Sequence, residues 1–278
     1  MLLEGKPCVE KRLEELKTKV LKMEKKPTLA IIHVCGDDAS DIYIHNKFKR
    51  CIQVGITPRL YYFLETASQR SIEDKIMELN KDDDITGIIL QLPLPDHMDP
   101  RYLTNLIDPN KDVDGFTQTN TGKLFLGMDG LVSCTPKGIM ELLDFYDIPL
   151  EGKDVLIINR SNIVGKPLAH LMMRRDATVT VAHSKTENLE QKIKQADVVV
   201  TAVGIPNFLS KDNFKDGATI IDVSMNRLDG KLCGDVRKDD YLELMVRCNL
   251  TPVPGGVGQT TVMALLENVI SIIENKER

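Results

Sequence analysis

The sequence has no broad basic surplus, no long apolar run and no paired-cysteine motif. The formal net charge is −5 over 278 residues, so no overall positive field draws the chain to nucleic acid or to a membrane surface. Local basic sites for a small anion stay open. No apolar stretch reaches transmembrane length, and residues 1–6 lack a signal-peptide pattern. Six cysteines (Cys8, Cys35, Cys51, Cys134, Cys233, Cys248) are scattered with no C-x-x-C pair, as expected of free thiols in a reducing cytoplasm. The five histidines show no metal-ligand spacing, so no metal is expected. Short-period repeats and low-complexity segments are absent too.

What is present is an alternation of apolar runs and amphipathic stretches. Residues 10–23 place Leu13, Leu16, Val20 and Leu21 among charges, the pattern of an amphipathic helix. Strands are expected at 28–34, 59–64 and 87–92, with a helix capped by Ser40 running to about residue 54 and another over 71–79. A short helix over 102–107 and a charged loop over 109–115 follow. Thr135 and Pro136 suit the N-cap and first position of the next helix, which ends near Tyr146. The rhythm then restarts. Strands are expected at 155–158, 178–182, 198–201 and 218–223, a helix at 188–196, and a hairpin about Asp229-Gly230. A Pro/Gly stretch over 251–258 precedes a closing helix over 261–274.

This is an α/β fold of two βαβ-type domains around a cleft. Residues 1–135 with 254–278 form the first domain, the last helix packing back on it. Residues 136–253 form the second. In parallel sheets ligands bind at the carboxyl ends of strands, so chemistry is sought just after them.

Residues 155–167 read as a buried strand, a polar turn, Gly165, and Pro167 at the probable helix start, the arrangement that holds a dinucleotide pyrophosphate. The spacing is not G-x-G-x-x-G, and a plain strand–helix connection gives the same pattern. Tyr43 and Lys47 share a helix face at i, i+4: a pair that could activate a reacting group, or a surface lysine resting its stem on a tyrosine. Lysine acting as a base needs its pKa lowered from about 10.4, which a partly apolar cleft favours. Gln91 is a lone amide in an apolar strand and needs partners, structural or functional. Asp112 and Asp114 are turn formers by default, yet a carboxylate there can grip an amino-pyrimidine edge. After the 178–182 strand stand His183, Ser184 and Lys185, with no acid before Glu187. With Arg160 in the turn, that favours a 2′-phosphate, and so NADP over NAD.

Together these motifs resemble the bifunctional methylenetetrahydrofolate dehydrogenase/methenyltetrahydrofolate cyclohydrolases over nearly the whole chain. The likeness rests on Ser40-Asp-Ile-Tyr43-x-x-x-Lys47, Gly87-Ile-Ile-Leu-Gln91-Leu-Pro-Leu-Pro95, Lys111-Asp-Val-Asp114-Gly-Phe116 and Cys134-Thr-Pro-Lys-Gly138. It continues through Arg160-Ser-Asn-Ile-Val-Gly-Lys-Pro167, Ala202-Val-Gly204 and Thr251-Pro-Val-Pro-Gly-Gly-Val-Gly258.

The resemblance implies that 5,10-methylenetetrahydrofolate is oxidised with NADP and the methenyl product hydrolysed to 10-formyltetrahydrofolate. It implies catalysis by Lys47, tuned by Gln91, with Tyr43 stacked on the folate rings and Asp114 on the pterin amino edge. Leu90, Leu92, Pro254, Gly255, Gly256, Val257 and Gly258 would complete the substrate site. Asn159, Arg160, Ser161, Gly165, His183, Ser184, Val203, Gly204 and Met225 would hold the cofactor. It implies a Rossmann-like second domain, a homodimer through that domain, and no metal.

Departures fall at Asn159 and Ser224, where the family usually has Gly, at Gln259-Thr260 for Pro-Met and at Ser133 for Pro. Asn159 and Ser224 are expected to crowd the pyrophosphate and the nicotinamide side. That leaves two further readings: a cyclohydrolase with weak or lost dehydrogenase activity, and a non-catalytic folate- or nucleotide-binding protein, against which Lys47 and Gln91 argue.

Overall fold

The computed structural model describes residues 1–34 and 38–276, without the side chains of residues 38–43 and 276. The chain divides into two compact units, Lys11–Cys134 with Val262–Arg278, and Met1–Glu10 with Thr135–Thr261. The second unit thus takes residues 1–10 and 254–261, which the sequence had placed with the first. Backbone pairing accounts for the first ten residues: Leu3 N donates to Leu250 O, Leu250 N to Met1 O, and Gly5 N to Gly255 O.

In chain order the elements begin with α1 (Gly5–Lys22), β1 (Thr28–Val34), α2 (Asp38–Val54), β2 (Thr57–Phe63), α3 (Gln69–Lys81), β3 (Gly87–Leu90), α4 (Pro100–Asn105) and α5 (Gln118–Phe125). The strands form a parallel sheet in the order β2-β1-β3. Central β1 is buried throughout, as its Leu29–Ile32 run favours, whereas the edge strand β2 is not. Ala30, Ile32, Val34, Ile72, Ile76, Leu79, Ile88 and Leu90 build the core between sheet and helix.

Then come α6 (Cys134–Phe145), β4 (Asp154–Ile158), α7 (Gly165–Met173), β5 (Thr178–Ala182), α8 (Leu189–Gln195), β6 (Val198–Thr201), β7 (Thr219–Asp222), the hairpin β8 (Asn226–Leu228) and β9 (Lys231–Cys233), α9 (Tyr241–Arg247), β10 (Asn249–Leu250) and α10 (Val257–Lys276). The second sheet is parallel in the order β10-β7-β6-β4-β5. Strand order reverses about β4, so the crevice between the β4 and β6 loops is its switch point. The hairpin forms as the Asp229-Gly230 pair demands, with both residues at positive φ (50° and 75°).

Several boundaries move. The first helix starts five residues early, at Gly5. Ser40 lies inside α2 and so is not its cap. Helix α6 starts at Cys134, which puts Thr135 and Pro136 in its first turn, where proline's missing N–H costs no hydrogen bond. Pro167 is the third residue of α7, not the first, for the same reason. Helix α10 begins at Val257, so Val257 and Gly258 belong to it and not to the preceding loop. Helix α5, helix α9 and two-residue β10 have no counterpart in the sequence pattern. Among the described residues no helix is long and apolar enough to cross a membrane.

Candidate active site and cofactor edge

In the first unit, α2 carries Lys47, and β3 ends at Leu90, so Gln91 stands just beyond the strand rather than inside it. Gln91 N still extends the ladder by donating to Ile32 O at 2.9 Å. Its side chain is fixed at both ends. Oε1 accepts from Lys47 Nζ at 2.9 Å, and Nε2 donates to Leu92 O at 2.8 Å. The amide is therefore oriented with its acceptor toward the lysine, a pairing across 44 positions of sequence. Leu90 is buried and Leu92 half-buried. The side chain of Tyr43 lies outside the described residues.

The acidic loop separates its two carboxylates by role. Ile88 N donates to Lys111 O at 2.7 Å, running the loop alongside β3 toward its carboxyl end. Asp112 is buried and accepts from Thr117 N (2.8 Å), Asn120 Nδ2 (3.0 Å) and Phe116 N (3.2 Å), so it shapes the turn. Asp114 is only partly covered. Desolvation pushes its carboxyl above the usual range, Lys47 and a Cys134 thiol contact oppose this, and Asp112 adds to it. Lys47, Gln91 and Asp114 are thus one electrostatic group. Gly115, at φ 68°, is required behind it, since a Cβ would strike the backbone of residues 131–133.

Two supports escaped the sequence pattern. Asn268 of α10, buried, donates to Val113 O and Val132 O, both at 2.8 Å, pinning the segment that bears Asp114. Cys134 Sγ lies 3.4 Å from Val113 O and 3.6 Å from Asp114 Oδ1. An asparagine inside an apolar helix is the one signal that would have marked the first of these.

In the second unit the expected cofactor residues gather at one edge. Asn159, Arg160 and Ser161 follow β4, His183 and Ser184 follow β5, Val203 and Gly204 follow β6, and Met225 follows β7. Arg160, Ser184, Gly204 and Met225 are exposed there. The His183 ring is held as an acceptor, Nδ1 taking Lys185 N at 3.1 Å.

Asn159 and Ser224 do not simply intrude on this edge. Asn159 Nδ2 donates across the switch point to Ala202 O at 2.7 Å, while its Oδ1 accepts from Ser161 N (2.8 Å) and Gly165 N (3.1 Å). The carboxamide therefore takes up the Ser161 N–H of the turn and the Gly165 N–H that opens α7, where an anion would otherwise be drawn. Gly165 is obligatory, because a Cβ would run into the Asn159 carbonyl. Ser224 is 7% exposed and turned inward, its hydroxyl donating to Asp235 Oδ2 at 2.8 Å and accepting from Gly204 N at 3.1 Å. Expected crowding by Ser224 is thus replaced by an internal brace.

Pro254, Gly255 and Gly256 lie before α10, where Val253 N donates to the Tyr241 hydroxyl at 3.3 Å and Gly256 N to Pro252 O at 2.8 Å. With Val257 and Gly258 they fall in the second unit.

A lysine–amide–carboxylate group at the end of one parallel sheet, and a switch-point edge on the other, mark a two-unit α/β enzyme with a nucleotide-binding sheet. Comparison with known proteins makes this specific. Residues 3–114 match the tetrahydrofolate dehydrogenase/cyclohydrolase catalytic domain, and residues 133–277 match the NAD(P)-binding domain of the same family. The bifunctional protein FolD of Campylobacter fetus is 46% identical over 282 residues, 100% of this chain and 99% of that protein. The crystal structure of FolD methylenetetrahydrofolate dehydrogenase/cyclohydrolase from Campylobacter jejuni has a TM-score of 0.96 and 42% identity, covering 99% of each chain. The dehydrogenase-cyclohydrolase of Trypanosoma brucei, solved with NADP cofactor and inhibitor, gives 0.93 and 31%, covering 100% of this chain and 98% of that one. The chain belongs to the tetrahydrofolate dehydrogenase/cyclohydrolase family.

Proposed function

We propose that the protein oxidises 5,10-methylenetetrahydrofolate to the methenyl form with NADP and hydrolyses that cation to 10-formyltetrahydrofolate. The observation that carries this is the Lys47–Gln91 hydrogen bond beside Asp114. Lys47 Nζ, acting as general base, takes the proton of the water that attacks the methenyl carbon. Gln91, anchored on Leu92 O, holds the amine by accepting one of its hydrogens. Asp114 accepts N–H bonds from the pterin amino edge, and Tyr43 orients the rings. Leu90 and Leu92, at the end of β3, border the substrate site in this reading.

When bound, the nicotinamide nucleotide accepts the hydride that leaves the methylene carbon. The donor set of the second unit fits it: exposed Arg160 and Ser184, with Lys185 beside them, can hold a 2′-phosphate, and Ser161 and Gly204 stand at the switch point. Asn159 has to yield its two N–H partners for the pyrophosphate to use them. That observation supports a second reading, a cyclohydrolase with weak or lost dehydrogenase activity. One assay pair separates them: methenyl substrate alone, and methylene substrate with NADP or NAD. Hydrolysis with no reduction of either nucleotide selects the second reading; no hydrolysis overturns the first.

A homodimer through the cofactor unit is consistent with edge strand β5, whose residues are largely exposed. A cytoplasmic location suits the free Cys8, Cys51, Cys134, Cys233 and Cys248. A monomer mass in solution would refute the dimer.

A further inference from the structure

Behind the cofactor edge lies a carboxylate that the foregoing chemistry does not use. Asp235 is 0% exposed and follows Gly234, where a Cβ would collide with the Asp222 carboxylate. Six donors converge on it. Oδ2 accepts from Thr201 Oγ1 (2.6 Å), Val203 N (2.8 Å) and Ser224 Oγ (2.8 Å). Oδ1 accepts from Ile205 N (3.0 Å), Gly204 N (3.1 Å) and Asn226 Nδ2 (3.1 Å). An ionised carboxylate offers about four lone-pair sites, so this one is saturated, and its bonds are of the stronger, charge-assisted kind.

Three of the donors are consecutive backbone N–H groups of the loop after β6. These peptides are trans, so each carbonyl points opposite to the next residue's N–H. The Ala202, Val203 and Gly204 carbonyls therefore face away from Asp235. The first is taken by Asn159 Nδ2 at 2.7 Å. Gly204 reaches this conformation at φ 78°, which a side chain would strain. We propose that Asp235 is a positioning residue for the cofactor: by gathering the N–H groups of residues 203–205 behind the loop, it presents the Val203 and Gly204 carbonyls as fixed acceptors for an N–H-bearing group of the nicotinamide nucleotide. This rests on the cofactor reading above.

Asp235→Asn tests it, since an amide places an NH2 against three donors. Binding of NADPH is followed by fluorescence titration and methenyl hydrolysis is measured on the same preparation. Expected are at least tenfold weaker NADPH binding, hydrolysis within twofold of wild type, and an NADP KM that rises more than dehydrogenase kcat falls. Should that variant not fold, Thr201→Val combined with Ser224→Ala removes two Oδ2 donors and is expected to weaken NADPH severalfold. Unchanged NADPH binding in whichever variant folds overturns the inference, as does hydrolysis lost in parallel, which marks a general structural role. Wild type that hydrolyses substrate but binds no NADPH overturns the cofactor reading itself, and this inference with it.

Discussion

The two units treat their polar groups in opposite ways. Around Lys47 the polar side chains are few, partly exposed and drawn from α2, the end of β3 and the acidic loop. Lys47 and Gln91 bond to each other, and Asp114 lies close enough for the lysine to bear on its carboxyl. At the cofactor edge Arg160 and Ser184 are exposed, while Asn159, Ser224 and Asp235 turn their polar atoms onto backbone. Asn159 ties the β4 loop to the β6 loop, and Ser224 and Asp235 tie the β6 loop to the segments after β7 and β9. Around Lys47 side chain pairs with side chain, whereas at the cofactor edge side chains hold backbone still.

The contrast predicts that single changes act selectively, and the largest effect is expected at Lys47. Lys47→Met should lower methenyl hydrolysis by at least about a hundredfold, the scale of general acid–base catalysis, while folate binding stays within severalfold. Near-normal hydrolysis in a stopped assay would remove Lys47 from its role. Next, Arg160→Ala should cut kcat/KM for NADP by on the order of tenfold, as loss of one charge-assisted bond does, and leave that for NAD nearly unchanged. Equal losses with both nucleotides would mean that Arg160 does not read the 2′-phosphate.

A smaller, opposite effect is expected at Asn159. Asn159→Gly releases the N–H groups of Ser161 and Gly165 and should tighten NADPH about threefold to fivefold, the worth of a neutral hydrogen bond. Weaker or unchanged binding would show that the pyrophosphate is held without them. The smallest effect is on stability against pH. Burial, with Asp235 close by, pushes the Asp222 carboxyl up to about 7. A raised folded-state pKa gives stability that is present below the unfolded value near 3.8 and lost as pH rises toward 7. Asp222→Asn should therefore gain on wild type, by a few degrees in Tm, as pH is raised from about 4 to 7. A constant difference across that window would contradict the shifted titration.

The grouping of Lys47, Gln91 and Asp114 was largely legible in the sequence, because each stands in a short motif near an apolar run. The buried strands were legible from their apolar runs: Thr28–Val34 has Leu29–Ile32 unbroken, bounded by turn residues. Helix α5 was not, since its Thr, Asn and Gly content reads as loop, and what forms it is Thr117 accepting from Asn120 N. Strand β10 has two residues and pairs only through the distant β7 and the first residues of the chain. Asp235 was invisible because its meaning lies in six partners brought from two stretches, residues 201–205 and 224–226. Asn159 and Ser224 were noticed as departures, but their direction was misjudged for Ser224, as a sequence cannot say which way a small polar side chain turns.

Asn268 has a consequence for how the protein is made. The segment bearing Asp114 is pinned by a helix whose residues 262–276 are synthesised after the whole of residues 135–261. At about 5–20 residues per second, the first unit waits roughly 6–25 s on the ribosome with its sheet complete and its closing helix missing. Over that interval a nascent chain carries an uncovered apolar face, so a chaperone that holds the first unit until release would raise the yield of folded enzyme.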